Sequence, residues 1–71
     1  MEIKINGDWV KIEKGDLIGD GFEEGVVVSI LLEDNEVEFG VFDGKEGWSL
    51  KECDVKKVNG EWVRESVEGD V

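Results

Sequence analysis

The sequence predicts an all-β domain: a small antiparallel barrel of five to seven short strands, with one helical turn near residues 51–54. Three observations predict it. Apolar and polar residues alternate over short runs, the period of a half-buried strand. Asn-Gly and Asp-Gly pairs punctuate those runs, and they are the turn chemistry of tight hairpins. Ala is absent while eleven of the 71 residues are Val, a composition that disfavours helix and suits strands.

The first element is a hairpin. Glu2-Ile3-Lys4-Ile5 and Asp8-Trp9-Val10-Lys11-Ile12 flank Asn6-Gly7, and a type I′ turn needs φ > 0 at both of its central residues. A two-residue loop pairs Ile5 with Asp8, Lys4 with Trp9, Ile3 with Val10 and Glu2 with Lys11. One face then carries Ile3, Ile5, Val10 and Ile12. The other carries Lys4, Trp9 and the opposite charges Glu2 and Lys11, so register and charge agree.

Residues 14–24 read as a loop rich in glycine and acid, with Leu17, Ile18 and Phe22 as apolar anchors that fold it back on the body. The run 25–33 (GVVVSILLE) reads as a strand buried on both faces for much of its length. Asp34-Asn35 turns the chain. In 36–42, Val37, Phe39 and Val41 point inward and Glu36 and Glu38 outward. Asp43-Gly44 is a second tight turn, residues 47–50 a short strand, and residues 51–54 a single helical turn. Residues 55–58 and 61–64 make a second hairpin about Asn59-Gly60. The domain is expected to span residues 1–65, with a frayed tail over 66–71.

The two Asn-Gly hairpins echo each other. Lys4 to Lys11 (KINGDWVK) reads against Lys57 to Arg64 (KVNGEWVR), identical or conservative at every position. Turn chemistry alone accounts for the shared Asn-Gly, and duplication is the alternative. Either way similar hairpins bracket the body, in a position to pair and close a barrel.

From Gly7 to Val58 the order of strands and turns resembles the SH3-like barrel, including its Tudor and mind-bomb-type branches. The residues that carry the resemblance are Gly7-Asp8-Trp9-Val10, Gly25-Val26-Val27, Phe42-Asp43-Gly44, Trp48 and Cys53-Asp54-Val55. For Tudor-type domains the resemblance implies an aromatic cage that holds a methylated Lys or Arg by cation–π attraction. Trp9, on the polar face of its hairpin, and Phe42, out of phase with Phe39 and Val41, are the candidate walls, with Trp48 as a third. The chain has no Tyr, which such cages usually include. Core packing is the competing role for each aromatic.

Charge narrows the function. Nineteen acids against eight bases leave a net charge of −11, so phosphates are repelled and direct binding of nucleic acid is not expected. With no His and one Cys, imidazole bases, Ser-His pairs and zinc fingers are excluded. Asp16, Asp20 and Glu24 offer oxygen ligands. Counted from Asp16, however, an EF-hand template puts Ile18 at its third position and Val27 at its twelfth. Gly15, Gly19 and Gly21 lack the lysine of a phosphate loop. Cys53, between Glu52 and Asp54, reads as a buried and inert thiol. No enzyme, metal or cofactor is expected. No apolar run approaches the ~20 residues of a membrane span. The chain starts at Met1 without a signal-peptide pattern and reads as a complete short frame, cytoplasmic and monomeric.

The acidity is concentrated. Residues 15–44 hold nine acids and no base: Asp16, Asp20, Glu23, Glu24, Glu33, Asp34, Glu36, Glu38 and Asp43. A solvated face that aids solubility is the plain reading. The functional reading is a surface for a cationic partner, because solubility asks for mixed signs and clustering costs stability. Nine carboxylates suffice to fill a site built for ~6–10 phosphates. In size and charge the chain is similar to acidic decoy proteins that mimic nucleic acid, many of them phage-encoded. The expected partner is a nucleic-acid-binding protein with a basic surface. The expected contacts are Asp16, Asp20, Glu23, Glu24, Glu33, Glu36 and Glu38. The alternatives are a Tudor-like reader of a cationic peptide and a structural subunit that assembles through exposed strands.

Overall fold

A computed structural model describes residues 1–63. The expected domain end at 65, the tail 66–71 and Arg64 of the second hairpin lie outside the described residues. Eight strands form in order: β1 (Glu2–Ile5), β2 (Asp8–Lys11), β3 (Leu17–Gly19), β4 (Glu24–Glu33), β5 (Glu36–Phe42), β6 (Gly47–Lys51), β7 (Lys57–Val58) and β8 (Glu61–Trp62). Among the described residues the fold is all-β, with a single 3₁₀ turn at Glu52–Asp54.

β1 and β2 pair in the expected register, Glu2 with Lys11 through Ile5 with Asp8. Asn6 and Gly7 carry φ of +52° and +88°, the positive values a type I′ turn demands. Asp34-Asn35 (+47°, +68°) and Asn59-Gly60 (+50°, +87°) repeat this geometry. Residues 43–46 instead form a four-residue loop, in which the Asp43 carboxylate accepts the N–H groups of Lys45 and Glu46 at 2.8 and 2.9 Å.

The strands do not form one closed ladder. β1 and β2 stand as a two-stranded sheet, and the rest form an open antiparallel sheet ordered β6-β5-β4-β3-β7-β8. Pairing of the two Asn-Gly hairpins is therefore corrected. β2 and β8 flank a groove of about 440 Å³, lined by Trp9, Val10, Trp62 and Val63 among others. The N-terminal hairpin instead packs its apolar face on the larger sheet. Ile3, Ile5 and Ile12 share one core with Ile18, Val27, Phe39, Val41, Leu50 and Val55. Burying three Ile side chains contributes on the order of 5 kcal/mol before ordering costs, which docks the hairpin without a ladder.

Two further expectations change. Residues 14–24 are not all loop, because β3 forms there and pairs with both β4 and β7. Ile18 is fully buried, but Phe22 is 94% exposed and anchors nothing. β4 is buried on one face rather than two. The antiparallel sheet keeps its outer side wet, so Val26, Val28 and Leu31 are exposed. A bulge between Val27 and Ser29 shifts the register. Val27, opposite Val41, and Ile30, opposite Phe39, thus face the core although three residues apart. Cys53 is exposed rather than buried, because no residue of its 3₁₀ turn is buried.

Candidate functional site

Register decides which acids share a surface. Residues directly opposite on neighbouring strands lie on one face. Glu33 faces Glu36, Leu31 faces Glu38, Ser29 faces Gly40 and Val26 faces Phe42. The outer face therefore carries Glu24, Val26, Leu31 and Glu33 along β4, and Glu36, Glu38 and Phe42 along β5. Four of the seven acids expected as contacts, Glu24, Glu33, Glu36 and Glu38, stand together on this face. They are not continuous. The nine steps of β4 from Glu24 to Glu33 span about 30 Å, and the stretch between is apolar or small.

The other three expected contacts lie in turns. Asp16 Oδ2 accepts the Glu13 N–H at 2.9 Å. Asp20 Oδ1 accepts the N–H groups of Phe22 and Glu23 at 2.8 and 2.9 Å. Those bonds, Glu23 first, hold the Asp20 carboxyl below the usual carboxylate range. Asp43 is depressed in the same way by Glu46 and Lys45. These aspartates build turns, whereas Glu23 is exposed at the β3–β4 turn with Glu24.

Among the described residues, none of the nine acids of 15–44 makes a salt bridge; the ion pair present joins the Met1 amino group to Glu13 at 3.7 Å. Glu38 stands opposite Lys51 on β6. Glu33 and Glu36 stand opposite each other across the Asp34-Asn35 turn, a like-charge pair that costs stability.

The three candidate aromatics do not converge. Trp48 faces Val41 and Phe42 faces Gly47, so the two rings project from opposite sides of the sheet. Trp48 packs on the core, close over Gly25, where a Cβ would lie 3.0 Å from the indole. Phe42 is outward. Trp9 is 66% exposed, with the Lys4 ammonium 5.9 Å from its ring centroid.

Trp9 instead lines a groove that acids share with Lys4. This groove, of about 480 Å³, opens between the N-terminal hairpin and the β4–β5 turn, and its walls include Trp9, Leu32, Glu33, Glu36, Glu2 and Glu52. Leu32 pairs with Val37 on the core side of the sheet, yet it is 60% exposed where it lines this opening. Sequence reasoning missed Glu2, which the packing of the hairpin on the sheet brings to residues 33–36, and Glu52, which the pairing of β6 with β5 sets beside them.

Among the described residues no group of three or more His, Cys, Asp or Glu side chains is placed to hold a metal ion, and no helix is long and apolar enough to cross a membrane. Compared with family models, curated proteins and solved structures, the chain matches none.

Proposed function

We propose that the protein is a non-enzymatic interaction module whose acidic segment, residues 15–44, occupies a basic site on a nucleic-acid-processing protein, as a nucleic-acid mimic of phage type would. The observation that carries this reading is the Glu33–Glu36 opposition, in which neither carboxylate has a salt-bridge partner among the described residues. Packing gains nothing from two carboxylates facing each other at an exposed turn, so the arrangement fits a charge kept for use against a partner. In this reading the two packed sheets are an opened relative of the SH3-like barrel, and the protein acts as a cytoplasmic monomer.

The test is a tagged pull-down from lysate at low and high salt, with a Glu23→Lys/Glu24→Lys/Glu36→Lys/Glu38→Lys variant alongside. Capture of a nucleic-acid-binding protein, lost at high salt and lost in the variant, is expected. Undiminished capture by the variant overturns the proposal.

A second reading, a Tudor-like reader of a cationic peptide, is favoured by one observation: Trp9 shares its groove with Glu33 and Glu36. It predicts that Trp9→Ala removes binding while the fold survives. Binding that is indifferent to Trp9→Ala sinks it.

A further inference from the structure

The outer face of the larger sheet holds more than acid. Leu17 on β3 pairs with Val26 on β4, and Val26 pairs with Phe42 on β5. The three side chains form a row across three strands, 42%, 38% and 44% exposed. Single exposed apolar residues need no explanation, but a contiguous row rimmed by polar groups marks an interaction surface. The Phe42 ring reaches within 4.0 Å of where a Cβ on Gly47 would stand, and Ser29 and Val28 lie over Gly40.

We propose that this face is the docking surface for the basic partner, with Leu17, Val26 and Phe42 as its apolar centre and the acids as its rim. The inference rests on the function proposed above and adds to it the shape of the partner. Protein interfaces bury an apolar centre inside a polar rim, and this face has that layout. Glu24 bounds it at one end of β4, and Glu33, Glu36 and Glu38 bound it at the other. Charge complementarity selects the occupant. A second copy seated on the same face brings together chains that each carry −11, through a face where four glutamates outnumber Lys51 and Lys57. A protein surface with an apolar strip flanked by Lys or Arg is complementary to the apolar row and to the four glutamates, which outnumber Lys51 and Lys57 on this face. The acidic ends then steer the encounter and the apolar row holds the complex.

The experiment uses the full chain and two fluorescent peptides of equal length and equal lysine content. One intersperses Leu and Phe among the lysines, the other Ser and Gly. The apolar peptide is expected to bind about tenfold tighter by anisotropy. A Leu17→Thr/Val26→Thr/Phe42→Thr variant is expected to lose that advantage and to bind the polar peptide as the parent does, since Thr keeps strand propensity. Should the triple variant fail to fold, Phe42→Thr alone carries the same comparison. Equal binding of both peptides by the parent, or an advantage retained in the variant, overturns the apolar centre and leaves the acidic reading standing. Failure of both peptides to bind at low salt overturns both. A dimer in sedimentation that the variant abolishes gives the face to a second copy and also overturns the proposal.

Discussion

The Lys57 ammonium lies 4.7 Å from the ring centroid of Trp62, its direct cross-strand partner. Lys4 and Trp9 stand in the same relation in the first hairpin. The sequence echo between residues 4–11 and 57–64 is thus also a structural one through residue 63. The same turn delivers the same cation to the same ring. The hairpins differ in what their asparagines do next. Asn59 Oδ1 accepts the Leu17 N–H at 2.9 Å, and the Asn59 N–H donates to the Leu17 carbonyl at 2.8 Å. Asn6 offers only a 3.5 Å contact to the Val55 carbonyl.

Asn59 therefore clamps the second hairpin to β3. Asn59→Gly keeps the positive φ accessible and deletes the side-chain acceptor, at an expected cost of about 1 kcal/mol. Asn6→Gly should cost clearly less. Urea midpoints of the two variants check this, and equal losses sink the clamp.

Gly25 has no room for a side chain. A Cβ there would lie 2.5 Å from Val41 Cγ1, 2.9 Å from the Phe42 carbonyl oxygen and 3.0 Å from the Trp48 ring. Gly25→Ala is expected to destabilise by about 1–3 kcal/mol and to alter Trp48 fluorescence. Gly40→Ala meets the Ser29 hydroxyl, which can rotate aside, and should cost less. Thermal melts that rank the two the other way contradict the packing described.

Glu33→Lys replaces a like-charge pair with an opposite one across the β4–β5 turn. Stability at low salt should rise by roughly 0.2–1 kcal/mol, and the gain should shrink in high salt. If the acids serve a partner, the same substitution weakens binding, so stability and affinity move in opposite directions. A variant no more stable than its parent at low salt contradicts the account of Glu33 and Glu36.

Acid should act in two phases. From neutral pH toward the isoelectric point near 4.2, loss of negative charge relieves self-repulsion and stability rises. Asp20 and Asp43 work the other way. Both are depressed in the folded chain by backbone N–H donors. Their contribution is complete above the unfolded Asp value of about 3.9 and is lost as pH falls through the lower folded values. Melting temperature against pH should peak on the acid side of neutral and drop below pH ~4. Asp20→Asn/Asp43→Asn should flatten the drop, and a steady fall from neutral downward would contradict this balance.

Much of this was legible where the physics is local. Asn-Gly at 6–7 and 59–60 and Asp-Asn at 34–35 dictate positive φ, and the alternation at 36–42 dictates which residues face the core. The run 25–33 reads as buried on both faces because its apolar residues do not alternate, whereas the outer side of the antiparallel sheet stays wet and a bulge at Val28 shifts the phase of burial mid-strand. β3 hid among glycines and acids because what holds it is its two neighbours, β4 and β7. Of the candidate site, the outward glutamates at 36 and 38 were readable from alternation. The turn-building role of Asp16 and Asp20 and the inward turn of Trp48 were not.

The sequence by itself determined the strand class, the three tight hairpin turns, the register of the first hairpin and the concentration of charge in 15–44. These depend on neighbours within a few residues, where backbone sterics and side-chain period act directly. Only the tertiary structure decided that the ladder stays open between β2 and β8. Only it decided that Trp9 lines one groove with Glu33 and Glu36, and that Leu17, Val26 and Phe42 form one exposed row. Those outcomes depend on how separate strands pack and pair, and the cost of closing the loops between them is met by the core as a whole.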